Sequence, residues 1–157
     1  MSPRILVVDG HPVQGQTVRS LLKWVGLQVV GVAADGAAAL RLAHELCADV
    51  VVLSLTRPLL RCFDTARAIA RVVPPRGVIL VAFEDYLVEP AFQAGIRGYV
   101  LSTRVVEELP TAIRTVGGGG IYLSPDIPAA IPVLSGGQAV ERSLFPDLVP
   151  TVGPAGS

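Results

Sequence analysis

Short apolar runs and amphipathic segments alternate from residue 5 to residue 116, and most runs stop at a turn-forming residue. Ile5-Leu6-Val7-Val8 reads as a strand that ends at Asp9-Gly10-His11-Pro12. Pro12 suits the first turn of a helix, where a missing N–H is no loss. Val18, Leu21, Leu22 and Val25 follow at the i, i+3, i+4, i+7 spacing of one helical face, and Gly26 closes that helix. Gln28 to Ala33 predicts a second strand. Asp35 then predicts an N-cap for a helix with Leu40, Ala43, Leu46 and Cys47 on its inner face.

Asp49-Val50-Val51-Val52-Leu53-Ser54-Leu55 is the most apolar run and shows no alternation, the mark of a strand buried on both faces of a parallel sheet. A loop at Thr56-Arg57-Pro58 leads to a third helix, with Ala66, Ile69, Ala70 and Val73 inward and Pro74-Pro75 as its stop. Val78 to Ala82 predicts a fourth strand, Asp85 to Ala94 a short fourth helix, and Gly98 to Leu101 a fifth strand. The last helix carries Leu109, Ala112, Ile113 and Val116 and runs into Gly117-Gly118-Gly119-Gly120. Five strand–helix units with short connections specify an α/β fold over residues 1–123: a five-stranded, doubly wound parallel sheet with helices on both faces. Such sheets bind ligands beyond the carboxyl ends of their strands, at the switch in strand order. The residues there are Asp9-Gly10-His11, Ser54-Leu55-Thr56, Val81-Ala82-Phe83-Glu84 and Ser102-Thr103.

Composition narrows the class. Of 157 residues 51% are hydrophobic and 17% charged, enough apolar side chain for a core without disulfides or metal. Thirteen basic residues balance thirteen acidic ones, which leaves no electrostatic footprint for nucleic acid, so no direct nucleic-acid binding is expected. The chain opens on a strand rather than an apolar leader, and no run is long enough to cross a bilayer. A reducing, cytoplasmic setting is therefore expected, with Cys47 and Cys62 as helix-packing residues and no membrane contact. Residues 124–157 hold six prolines and four glycines and no sustained period, and read as a tail. Leu144, Phe145 and Leu148 are apolar side chains in it that could dock on the domain.

The pieces Ile5-Leu6-Val7-Val8-Asp9-Gly10-His11-Pro12, Ala34-Asp35-Gly36, Ala48-Asp49-Val50-Val51-Val52-Leu53, Ala94-Gly95-Ile96-Arg97-Gly98-Tyr99-Val100-Leu101 and Gly120-Ile121-Tyr122-Leu123-Ser124-Pro125 bring a family into view. In this order and spacing the chain resembles the CheY-like receiver domain of two-component response regulators, nearest the NarL/LuxR-type branch. The resemblance covers residues 3 to 126. It implies an aspartate after the third strand that accepts a phosphoryl group, with Mg²⁺ held by that aspartate, a backbone carbonyl and an acidic pair after the first strand. It also implies a hydroxyl after the fourth strand, a lysine after the fifth and a switch aromatic three residues before the lysine.

This sequence departs from that pattern at most of the reactive positions. Of the acidic pair it keeps Asp9 and has Gly10 in the second place; the acceptor position is Ser54. The hydroxyl position falls on Val81 or Ala82, and the lysine position on Ser102; the aromatic, Tyr99, is present. A serine hydroxyl is a poor nucleophile without a base, and one carboxylate in place of three leaves Mg²⁺ binding lost or very weak. No cofactor is expected.

Asp9 is either a remnant metal ligand or a structural acid, which caps the first helix or hydrogen-bonds nearby backbone. His11 fits a helix N-terminus, His44 a surface position, and Glu84 and Asp85 either the first turn of the fourth helix or a substitute acid. The Gly117–Gly120 run follows a helix C-terminus, which disfavours anions. In the resembled branch a DNA-binding domain would start soon after Ser124-Pro125, yet the remaining residues carry one basic side chain, Arg142. The expectation is a non-enzymatic pseudo-receiver that acts through protein contact, with a histidine kinase, another response regulator or itself as a dimer. The alternative is a receiver-like domain that senses a small ligand without phosphorylation.

Overall fold

The computed structural model describes residues 3–54, 59–72, 77–83 and 87–125. The expected alternation is there: β1 (Arg4–Val8), α1 (Pro12–Trp24), β2 (Gln28–Ala33), α2 (Gly36–Glu45), β3 (Val50–Ser54) and α3 (Leu59–Val72). It continues with β4 (Gly77–Ala82), α4 (Val88–Gln93), β5 (Ile96–Leu101), a 3-10 turn (Ser102–Arg104), α5 (Val105–Gly117) and β6 (Tyr122–Leu123). Pro12 sits in the first turn of α1, and the Asp35 side chain caps α2 by accepting from Ala38 N–H at 2.8 Å.

All strands are parallel, in the order β2-β1-β3-β4-β5-β6. The order reverses between β1 and β3, which places the switch point where Asp9 and Ser54 emerge. Alternate strand residues divide the core. Leu6, Val8, Val51, Leu53, Leu80, Ala82 and Tyr99 pack with α2, α3 and α4. Ile5, Val7, Val50, Val52, Ile79, Val81 and Val100 pack with α1 and α5. Val50 to Leu53 are each at most 4% exposed, which explains why that run has no alternation.

Three expectations change. The sheet has six strands rather than five, because Tyr122 and Leu123 pair in parallel with Gly98 and Tyr99 on the open edge of β5. Ser124, the first residue assigned to the tail, is buried and donates its N–H to Tyr99 O at 3.0 Å, so the domain extends through it. Cys47 is not on the inner face of α2: the helix ends at Glu45, and Cys47 is exposed. Cys62 is buried in α3, as a packing residue should be. The expected features at Thr56–Pro58, Val73–Pro75, Glu84, Asp85 and the tail with Leu144, Phe145 and Leu148 lie outside the described residues.

The end of α2 carries a testable oddity. Ala48 N–H reaches back to Ala43 O at 3.1 Å and Cys47 N–H to His44 O at 3.3 Å, the paired bonds of a Schellman ending. α1 and α5 end with the same bonds and place glycines, Gly26 and Gly119, at the left-handed position. In α2 that position is Cys47, with φ 51°. A left-handed conformation costs a residue with a Cβ about 1 kcal/mol. Cys47→Gly is therefore expected to stabilise the fold by about 0.5–1 kcal/mol, read as a higher midpoint in urea unfolding.

Candidate functional site

The carboxyl ends of the strands bring the expected positions into one row. Ser54 is the last residue of β3 and pairs in register with Val81 of β4, which pairs with Val100 of β5. On the other side Val8 pairs with Leu53, so Asp9, the residue after Val8, comes level with Ser54. Asp9 is only 3% exposed. Gly15 makes room for it: a Cβ on that glycine of α1 would lie 3.4 Å from Asp9 Cβ and 3.2 Å from Val32 Cγ1.

Both Asp9 carboxylate oxygens have partners. The Ser54 hydroxyl donates to Oδ2 at 3.0 Å, and the His11 backbone N–H donates to Oδ1 at 2.8 Å. The backbone N–H of Asp9 is taken by Ala33 O at 2.9 Å. Of the two structural roles open to Asp9 in the sequence, the geometry has the second: it binds nearby backbone. His11 takes the N-cap position of α1 with no side-chain capping bond, and both His11 and His44 are exposed. The serine hydroxyl thus does face a carboxylate, but a carboxylate is a weak base for an alcohol.

The remaining positions flank this pair. Gly10 is exposed and adds no side chain. Val81 is the neighbour of Ser54, whereas Ala82 points to the opposite face and packs in the cluster that holds Tyr99. Neither offers a hydroxyl. Tyr99 is fully buried. Ser102 opens the 3-10 turn after β5, and its hydroxyl is shielded from solvent without a hydrogen-bond partner. Mg²⁺ needs a near-octahedral shell of hard oxygen ligands. This row supplies one carboxylate whose two oxygens already accept hydrogen bonds, and no group of three His, Cys, Asp or Glu side chains among the described residues is placed to hold a metal. Among the described residues the donor set does not fit Mg²⁺.

A second polar cluster was not anticipated. Glu108 of α5 is 5% exposed and accepts from Arg104 Nε at 3.1 Å, from Tyr122 OH at 3.1 Å and from Ser124 Oγ. The signal was present: Glu108 falls on the stripe of Val105, Leu109 and Ala112, where every other side chain is apolar. Burial, the Glu108 charge and the hydrogen bond to it all push the Tyr122 phenol well above its ordinary value of 10.0, with Arg104 opposing. A phenol that holds its proton more tightly when folded contributes stability in full below about pH 10, and loses it as pH rises through the raised value. Wild type should therefore keep this contribution in urea up to about pH 10 and lose stability as pH rises from about 10 to 12. Tyr122→Phe should start lower by about 1–2 kcal/mol and lose less over that span.

Comparison with known proteins agrees with this architecture. The family described as response regulator receiver domain matches residues 5–114. Response regulator GacA of Pseudomonas aeruginosa is 38% identical over 127 residues, 79% of this chain and 59% of that protein. Response regulator UvrY of Escherichia coli is 30% identical over 126 residues, 78% of this chain and 58% of that protein. The chain thus spans about three-fifths of the length of these two relatives. A crystal structure of a LuxR-family two-component response regulator from Aurantimonas sp. SI85-9A1 superposes with a TM-score of 0.73 at 32% identity, covering 81% of this chain and 93% of that one.

Proposed function

This chain belongs to the response regulator receiver domain family, and from that premise we propose that it is a receiver that does not take phosphate and signals by protein contact alone. The observation that carries the reading is the Ser54–Asp9 hydrogen bond. The residue at the acceptor position is an alcohol, and the acid beside it, Asp9, is occupied in holding that alcohol and the His11 backbone. Gly10, Val81 or Ala82, and Ser102 supply no second acid, no hydroxyl beside the acceptor and no cation. With the phosphate chemistry gone, Tyr99 serves as a static packing residue between the fourth and fifth elements.

The partner is a histidine kinase, another response regulator or a second copy of the chain. Exposed apolar side chains support contact through α1 and α5, which lie on the same side of the sheet: Val13 and Trp24 of α1 are 80% and 86% exposed, and Val106 of α5 is 69% exposed. Treatment with acetyl phosphate and Mg²⁺ is expected to leave the intact mass unchanged; a stable phosphoryl adduct would sink the proposal. A second reading, a pocket for a small neutral ligand, draws support from the shielded, unpartnered hydroxyl of Ser102. It expects one compound of a metabolite panel to raise the melting temperature. A flat response across the panel counts against it.

A further inference from the structure

We propose that the Glu108 carboxylate is a latch that ties the path of the chain leaving β6 to the turn Ser102–Arg104, so that neither moves alone. The latch sits at the β5–β6 edge of the sheet, whereas Asp9 and Ser54 meet at β1 and β3, and the inference stands independently of the proposed function.

Both ends of the turn are held by the same side chain. Arg104, its last residue, donates Nε–H to Glu108 Oε2. Leu101, the residue before it, donates its backbone N–H at 3.1 Å to Ser124 Oγ, whose own hydroxyl hydrogen goes to Glu108 Oε1. Ser124 also fixes the outgoing backbone through its N–H to Tyr99 O, and Tyr122 adds a hydroxyl from β6. One continuous hydrogen-bond path therefore runs from Arg104 through Glu108 and Ser124 back to Leu101.

Packing does not require an acid there, since the neighbouring residues of the α5 stripe are apolar. A carboxylate this deeply buried is tolerated only with its partners in place. Losing one donor weakens the case for the others, which makes the cluster close to all-or-none. Two features leave the turn and the helix that follows it each short of a hydrogen bond. The Ser102 hydroxyl is shielded yet unpartnered, so a second arrangement that bonds it would relieve a real cost. Pro110 lies inside α5 and cannot donate to the Val106 carbonyl, which leaves the ladder one bond short in the turn that carries Glu108.

Hydrogen exchange on the full chain tests this with Arg104→Met, Ser124→Ala and the double variant. Arg104→Met is expected to speed exchange of the Leu123 and Ser124 amides on the order of tenfold, the size of one charge-assisted hydrogen bond. Ser124→Ala is expected to do the same at residues 102–104, since coupling through one latch is reciprocal. The double variant should show no more than the larger single effect. Glu108→Gln should open both ends while β1 to β4 keep their protection. Effects that stay local to each substitution and add in the double variant overturn the proposal. If Glu108→Gln does not fold, the two single variants and their combination still decide it.

Discussion

Ser54→Asp is expected to lose about 3 kcal/mol of stability at neutral pH, and to recover much of it when Mg²⁺ is added. The Ser54 hydroxyl lies 3.0 Å from Asp9 Oδ2, and Asp9 is 3% exposed. A carboxylate at position 54 would exchange a hydrogen-bond donor for a like charge in that shielded spot. Two carboxylates sharing a site cannot both ionise easily, so the folded pair holds its last proton to higher pH than the unfolded chain does. The variant should then match wild type near pH 4 and fall behind as pH rises through the raised value of the pair. A divalent cation bound between the two acids stabilises only the folded form, so urea midpoints should climb with Mg²⁺ in the variant and stay flat in wild type. Ser54→Asn, of similar size but neutral, separates charge from bulk and should lose less. A Ser54→Asp protein as stable as wild type at pH 7, and indifferent to Mg²⁺, would remove the claim that positions 9 and 54 share one pocket.

Most of the scaffold was legible because each element announces itself locally. Pro12, the Asp35 cap and Gly26 mark helix ends through backbone chemistry that a neighbour three or four residues away completes. The unbroken run of β3 is likewise a direct record of burial on both faces. The candidate positions were legible as identities, since Asp9, Gly10, Ser54, Val81, Ala82 and Ser102 lie at or just beyond the carboxyl ends of strands. What was not legible depends on contacts between distant segments. Val81 and Ala82 were equal choices until the β3–β4 register put Val81 beside Ser54 and turned Ala82 toward Tyr99. β6 is two residues long, too short to display a period, and exists because β5 offers a free edge. Cys47 looked like one more apolar residue on a helical face, and nothing in its identity reveals a positive φ. The polar partners of Glu108 lie as far as 16 residues along the chain, so its place on an apolar stripe could only raise a question.

Gly98→Ala is expected to cost about 2 kcal/mol, out of proportion to one added methyl group. Gly98 pairs in register with Ile79 of β4 and lies under the C-terminal half of α5. A Cβ there would come within 2.9 Å of Ile79 Cγ1 and 3.1 Å of Val116 Cγ2, side chains that are 0% and 1% exposed. Neither is the free end of a flexible chain, so strand and helix must separate, and α5 shifts with the latch it carries. Gly77→Ala makes a milder contrast: its Cβ would meet Arg97 Cγ at 2.9 Å and Arg97 Cβ at 3.3 Å, and a χ1 turn of that partly exposed side chain relieves the closer contact. That variant should cost less than about 1 kcal/mol, part of it offset by a stiffer unfolded chain. Ile79→Ala alone leaves a cavity and should cost about 2–5 kcal/mol. Combined with Gly98→Ala, the added methyl occupies part of the space the isoleucine vacates, so the double variant should be more stable than the two single losses predict by about 1 kcal/mol or more. Urea unfolding of the four proteins closes the cycle. Strict additivity would mean that Gly98 and Ile79 do not meet, and the close seating of α5 on β4 and β5 would then need another cause.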